Sequence, residues 1–366
     1  MISVSEARQK IEAHSNIHKI AELPISKANG HVLAESPVSK IDTPPFNQSA
    51  MDGYAFLFDS WDGQSALKLV GEVQAGSVFQ GTLKAGDAVR IFTGAPVPLS
   101  ADTVVMQEKV IVNGDNISFT ESPIKGANVR LRASQTQKGA NVLPKGQLLI
   151  PAGISFLAGL GIDKVKVFNK PMVAIIVTGS ELVKPGNEVL EGEIFESNSF
   201  GLVAGLEQMN IIPVSVVTVN DNEEAIRNEI SKQFGVDILI LSGGVSVGDY
   251  DFVTSSLAFC GVETIFHKVK QKPGKPIYFG KKGETLCFGL PGNPASVMTC
   301  FYEFLVPTIE SITKRKYFKS LALPLSSAYK KKPGLTQFLK GKTGINDVSI
   351  LKSQESYLMN SFAIAD

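Results

Sequence analysis

The sequence predicts a multidomain protein of the α/β plus β class. It comprises a mostly parallel three-layer α/β domain, a small inserted β domain, an N-terminal mixed domain and a short C-terminal β domain. Three observations predict it. Residues 171–318 repeat a strand, loop, helix rhythm, which a parallel sheet covered by helices on both faces requires. Residues 51–137 carry short alternating runs split by Gly, Pro and Asn-Gly signals, the texture of an all-β unit. A chain of 366 residues that is 43% apolar and 19% charged is too long for one ordinary domain and supports sizeable cores.

The chain begins with a helix over residues 3–14. Ser3 and Glu6 make a capping box, and Val4, Ala7 and Ile11 fall on one face. Residues 20–45 are extended and end in Thr43-Pro44-Pro45, which cannot continue a helix. The β unit follows, with strands expected at Leu67–Val73, Ala88–Phe92, Thr103–Gln107 and Val110–Val112 and a turn at Asn113-Gly114. Residues 138–170 return to mixed character. Residues 1–50 and 138–170 then form one N-terminal domain interrupted by residues 51–137; two sequential domains are the other account.

In the α/β domain, residues 171–318, Val173–Val177 is an apolar strand ending in Thr178-Gly179-Ser180-Glu181. A helix over Phe200–Met209 buries Val203 and Leu206, and Val214–Val219 is the next strand. Asp221 and Glu224 read as a second capping box, ahead of Ile226, Ile230 and Phe234 at four-residue steps. The run Val236–Leu241 is a strand buried on both faces, and a helix over Tyr250–Phe259 follows it. Strands at Pro276–Phe279 and Thr285–Phe288 lead to Leu290-Pro291-Gly292-Asn293-Pro294. There Asn293 caps a helix and Pro294 takes its first position, with the apolar run to Val306 as its body. Residues 319–366 are a short tail that must lean on the α/β domain, because fewer than fifty residues make a marginal core.

Candidate chemistry gathers where strands end. Loops at the carboxyl ends of parallel strands are where open α/β sheets bind ligands. The turn after Leu241 supplies Gly243, Gly244, Ser246 and Gly248 with carboxylates at Asp249 and Asp251. Glycines permit close backbone approach, and two acids suit a hard cation; a tight turn with Asp251 capping the next helix is the alternative. Glu181 adds a third acid on the neighbouring loop. Lys268, Lys270 and Lys272 alternate along an extended piece and so share a face, and Lys275 follows a Pro-Gly turn, an arrangement suited to a phosphate or oxyanion. In the N-terminal half, Asp52, Thr93 and the alternating Arg130 and Arg132 are the chemically dense positions.

Several classes are disfavoured. A formal charge of +1 gives no overall attraction to nucleic acid or membranes. No GxxxxGKS or GxxxxGKT loop and no strand-linked GxGxxG occurs, so Walker-type hydrolysis and dinucleotide redox chemistry lack sequence support. Cys260, Cys287 and Cys300 form no metal spacing, and their odd number argues for a reducing cytoplasm over a disulfide framework. No apolar run approaches membrane-spanning length. The four histidines are scattered, and nothing points to a Ser-His-Asp triad.

Taken together, NQSAMDGYA, RIFTGAPVP, VVMQE, the TGSEL loop, SGGVSVGDYD, KPGKP and GLPGNP resemble the MoeA family of molybdopterin molybdenumtransferases, which includes the gephyrin E domain. The resemblance spans about residues 40–310 in the family's order. It implies an enzyme of molybdenum cofactor biosynthesis that inserts molybdate into adenylylated molybdopterin and releases AMP with the help of Mg²⁺. It also implies a cytoplasmic homodimer of four-domain subunits, with the molybdopterin adenylyltransferase as a candidate partner. The N-terminal domain would serve dimerisation, and the cleft would lie between the α/β domain of one subunit and the N-terminal half of the other. Carried over by motif, Asp52 and Thr93 come from the partner side, and Arg130 serves an oxyanion. Glu181, Asp249 and Asp251 serve the metal, and Asp221, Gly243, Gly244 and Ser246 the pterin nucleotide. Lys268, Lys272 and Lys275 neutralise phosphate or molybdate, Pro291 and Pro294 shape the wall, and Ser356 matches a serine near molybdate.

The chain departs from the family at Gln135 and Ser180, where acids are usual, at Leu335 for an arginine, and at Glu355 for a glycine. It also ends at Asp366, short of the family's usual last strands. These changes bear on molybdate affinity and turnover more than on fold. A catalytically weakened dimeric scaffold or pterin-nucleotide-binding paralogue is therefore the alternative function.

Overall fold

The computed structural model describes residues 1–15, 17–245, 252–331 and 333–366. The chain divides into two compact units, one of residues 22–166 and one of residues 1–21 with 167–366.

The larger unit is built on a six-stranded sheet. From one edge its strands are Ser215–Val219, Val173–Thr178, Ile238–Ser242, Thr285–Leu290, Tyr278–Lys282 and Glu263–His267. The first four are parallel, and Tyr278–Lys282 pairs antiparallel to the neighbours on both its sides, so the predicted parallel sheet carries antiparallel pairing at one edge. Every residue of Val173–Thr178, Ile238–Ser242 and Thr285–Leu290 is buried, which is why these strands read as unbroken apolar runs.

The pleat then sorts the side chains. Val173, Ile175 and Val177 face one core with Leu202, Leu206 and Phe301, whereas Ala174 and Ile176 face another with Ile226, Ile230, Val253 and Leu257. The helix Asn198–Gln208, which follows Val173–Thr178 in the chain, thus lies on the opposite face from Phe252–Phe259, which follows Ile238–Ser242. That reversal makes the crevice between their carboxyl ends a topological switch point, where such sheets bind ligands.

The N-terminal helix, Val4–His14, has the expected capping box and buries Val4, Ala7 and Ile11. It enters the core of the α/β unit, so the first 21 residues group there and not with the extended stretch that follows. The predicted second capping box is absent. The helix is Glu223–Gln233, and its cap is Asn222, whose side chain accepts from the Ala225 amide. The last long helical stretch continues past Val306: helix Pro294–Cys300, a π turn Phe301–Leu305, then helix Val306–Thr313. Pro307, which has no amide hydrogen, accounts for the widened turn before it. The tail adds short strands and a short helix, Met359–Ala363; of the strands, Thr336–Gln337 pairs in parallel with Gln271–Lys272. No helix among the described residues is long and apolar enough to cross a membrane.

The smaller unit is a second six-stranded sheet, ordered Thr103–Met106, Gly53–Phe56, Asp87–Ile91, Leu67–Val73, Asn116–Phe119, Val110–Asn113. Alternation again sorts its residues, with Ala55, Val89, Ile91 and Val104 in one cluster and Tyr54, Phe56, Ala88 and Val105 in the other. Gly53 is obligatory at the sheet centre: a Cβ there would lie 2.0 Å from the Val105 carbonyl oxygen.

Candidate functional site

In the α/β unit the switch point is built from backbone in close contact. Gly243 has φ +103°, and a Cβ on it would meet the Thr178 carbonyl oxygen at 2.4 Å. Gly244 has φ +58° and leaves no better room, with Val253 Cγ2 at 2.9 Å. The loops after Val173–Thr178 and Ile238–Ser242 therefore touch only because glycine stands at both positions. The Gly243 amide donates to the Leu290 carbonyl at 3.1 Å, and the position a Gly292 Cβ would take lies 3.7 Å from Gly243 Cα. This brings the Pro291–Pro294 loop alongside.

Asn198 locks the arrangement. Its amide group donates to Ser242 Oγ at 3.0 Å and to the Gly292 carbonyl at 2.8 Å, tying two strand-end loops to the start of its own helix. Sequence reasoning missed it, although a polar amide at the first turn of the helix after the TGSEL loop was the available signal. Asp221 sits on the adjoining loop and exchanges bonds with the TGSEL turn: Ser180 N donates to Asp221 Oδ2 at 3.3 Å, and Asp221 N to Ser180 Oγ at 3.0 Å. Ser180 thus closes a loop contact through its hydroxyl. Glu181 is exposed, and its carboxylate folds back toward Gly179.

Asn293 and Pro294 begin a helix as expected, but the Asn293 side chain does not cap it. Its amide group reaches Ser356 Oγ in the tail at 3.5 Å instead. Beyond lies the lysine segment. Gly274 packs against Cys300 on that helix, and Gln271 Nε2 donates to the carbonyls of Pro273 and Gly274 at 3.2 and 3.1 Å. Val269 and Gln271 are buried while Lys270, Lys272 and Lys275 are exposed. Lys268 is the correction: its backbone is left-handed, φ +70°, so the alternation begins after it and it does not share the face of the other lysines.

Three buried oxygens on this edge, Thr178 Oγ1, Asn198 Oδ1 and Asn293 Oδ1, have no hydrogen-bond partner among the described residues. Buried polar atoms are ordinarily satisfied, so orphans clustered at a switch point mark a place where a ligand or water completes the set. The sequence-predicted Ser246, Asp249 and Asp251 lie outside the described residues. Among the described residues, no three His, Cys, Asp or Glu side chains converge as a metal site.

The smaller unit holds its own cluster. Gln48–Ser49 pairs with Val129–Arg130, and Gln48 Nε2 donates to the Gly94 carbonyl at 2.9 Å, drawing the NQSAMDGYA, TGAPVP and arginine segments together. Thr93 donates its amide and its hydroxyl to Asp52 Oδ1. Those two bonds, the hydroxyl's first, hold the Asp52 carboxyl below its ordinary value. The paired arginines do not act as a unit. Arg132 is committed to Asp42 at 2.7 Å, and Ala133 turns left-handed directly after it. Arg130 instead lies 3.5 Å from Gln48 Oε1.

Fold and site thus define a multidomain α/β protein with an anion-suited, glycine-lined crevice at a sheet switch point. Comparison with known proteins makes the class specific. Residues 2–161 match the MoeA N-terminal region, domains I and II, and residues 174–311 match the probable molybdopterin binding domain. A molybdopterin molybdenumtransferase of Haemophilus influenzae is 34% identical over 99% of this chain and 92% of its own length. One from Nostoc sp. is 40% identical over 78% of this chain and 67% of its own length. The solved molybdopterin biosynthesis MoeA protein of Pyrococcus horikoshii aligns over all of this chain and 93% of its own, with TM-score 0.83 and 30% identity. The chain belongs to the molybdopterin molybdenumtransferase family.

Proposed function

We propose that the protein inserts molybdate into adenylylated molybdopterin and releases AMP. It would work as a cytoplasmic homodimer, with the molybdopterin adenylyltransferase as the candidate supplier of substrate. The observation that carries this reading is the continuous run of contacts from the glycine turn at Gly243, through Leu290 and Asn293, to Ser356 and the lysine segment. A glycine crevice for a nucleotide and ammonium groups for an oxyanion therefore occupy one edge of one unit.

In this reading Lys272 and Lys275 neutralise the phosphates or molybdate, because breaking a phosphoanhydride needs charge stabilisation more than a covalent nucleophile. Lys268 takes a lesser part, since its backbone directs it away from the series. Gly243 and Gly244 admit the phosphates, Asp221 fixes the rim, and Pro291 and Pro294 form the wall. The unpartnered oxygens of Thr178, Asn198 and Asn293 accept hydrogen bonds from substrate or water. Magnesium needs only one or two carboxylates beside substrate phosphates and water, so a rim with few acids fits it. Glu181 would hold it, with Asp249 and Asp251 named from the sequence, and once bound it would supply Lewis-acid stabilisation of the leaving phosphate. Asp52, Thr93 and Arg130 would serve the same chemistry from the other copy in the dimer.

The test is AMP release from adenylylated molybdopterin with and without molybdate, in the presence of Mg²⁺. Molybdate-dependent release is expected. Release without molybdate would make the protein a pterin-nucleotide hydrolase, and tight binding without release would make it a scaffold.

A further inference from the structure

The tail places a carboxylate in the same cavity as Lys272. Thr336–Gln337 runs parallel to Gln271–Lys272, and the amides of Thr336 and Phe338 donate to the carbonyls of Lys270 and Lys272, each at 2.9 Å. Lys340 follows, only 9% exposed. Its Nζ donates to the carbonyls of Glu355 and Leu358 at 3.2 and 3.1 Å, and its backbone exchanges bonds with the Gln354 amide at 2.9 and 2.8 Å. Ser356 is reached by Asn293. The Glu355 backbone is therefore fixed on both sides.

The result is a cavity of about 90 Å³ whose lining includes Lys272, Tyr329, Gln337, Gln354 and Glu355. That is room for several waters or a small ion. Its charged lining is one ammonium and one carboxylate, and among the described residues no ion pair joins the two. Lys340 bonds main-chain carbonyls, so the Glu355 carboxylate has no hydrogen-bonded cation, although the Lys340 charge acts on it through space.

We infer that Glu355 determines which oxyanions this pocket accepts: it is a resident negative charge that opposes an entering oxyanion beside Lys272, and opposes a dianion more than a monoanion. The inference rests on the reading of Lys272 as an oxyanion ligand. Repulsion scales with the product of the charges, so discrimination follows charge at fixed shape. The effect is moderate because Glu355 is exposed and solvent screens it.

Molybdate and perrhenate are tetrahedral oxyanions of two and one charges, and calorimetric titration of the full chain with each tests the point. Glu355→Gln should tighten molybdate binding about tenfold and perrhenate about threefold, the size of screened charge interactions. Both gains should shrink toward nothing near 1 M salt. Glu355→Asp, which keeps the charge, should bind as the wild type does. Equal gains for the two ions, or no gain, would overturn the inference. Lys272→Ala separates the two levels: unchanged molybdate affinity in that variant removes the lysine reading itself. Weakened affinity there, with no gain in Glu355→Gln, removes only the role of Glu355.

Discussion

Thr93 donates two hydrogen bonds to a single carboxylate oxygen of Asp52, one from its amide and one from its hydroxyl, each 2.7 Å long. The two residues are 41 positions apart, and the pair ties the NQSAMDGYA segment to the TGAPVP turn. It keeps Asp52 ionised to lower pH than an ordinary aspartate.

Thr93→Val removes the hydroxyl and keeps the amide. The Asp52 carboxyl should then titrate closer to its ordinary value of 3.8, though still below it. The sign follows from linkage. A depressed carboxyl contributes stability that is full above the unfolded value and lost as pH falls through the folded one, so acid unfolding of the variant should begin at higher pH. Carboxyl-carbon NMR titration of Asp52 measures the shift directly, and an unchanged midpoint would deny the hydroxyl its role.

Asn198 holds the carboxyl edge together through Ser242 and Gly292. Asn198→Ala strips two donors from a partly buried junction, which should cost about 1–3 kcal/mol of stability. It should also raise the KM for the pterin nucleotide more than it lowers kcat, because in the proposed reading the loops it ties bind rather than react. A thermal melt and steady-state kinetics check both parts. A fall in kcat alone would place Asn198 in the chemistry instead.

Much of this was legible because strong local signals agreed with the global fold. The capping box at Ser3 and Glu6, the all-buried runs at Val173 and Ile238 and the glycines at 243 and 244 each report a physical demand that few residue types meet. What stayed illegible depended on tertiary choice. Asp221 and Asn222 are both competent caps by type, and the contact with Ser180 decides between them. Lys268 looked like part of an alternating face, but a left-handed turn, invisible in a lysine codeword, takes it out. Arg132 looked like an oxyanion ligand until Asp42, 90 residues away, claimed it. Asn198 offered only a polar amide at a helix start, and its partners, 44 and 94 residues downstream, are set by the tertiary fold.

Gly243→Ala tests the close approach of the two loops. The new methyl would sit 2.4 Å from the Thr178 carbonyl oxygen in a left-handed backbone, so the loops must separate. Gly186→Ala is the matched control: φ there is +97°, with nothing within 4 Å of the added carbon. The control should cost about 1–2 kcal/mol from backbone strain alone. Gly243→Ala should cost more and should abolish pterin-nucleotide binding, which the control retains. Chemical denaturation and ligand titration on the pair distinguish strain from clash, and equal losses would mean that the approach of the loops is not what the glycine serves.

Lys340→Met tests whether the tail is clamped by a buried ammonium. Methionine fills similar space but leaves the carbonyls of Glu355 and Leu358 without their donor, a loss of about 1–3 kcal/mol. Because the tail's own strands are short, that loss should appear locally: amide exchange should quicken over residues 336–358 while Ile238–Ser242 stays protected. Burial also holds the Lys340 ammonium below its ordinary value of 10.5. Between the lowered value and 10.5 the unfolded chain binds more protons than the folded one, so wild-type stability rises with pH across that window. The variant lacks this contribution, and the stability gap between the two proteins should therefore widen as pH climbs toward 10.5. A gap that stays flat would show that burial does not disfavour the ammonium, and uniform exchange along the chain would show that the bonds from Lys340 to Glu355 and Leu358 do not clamp the tail.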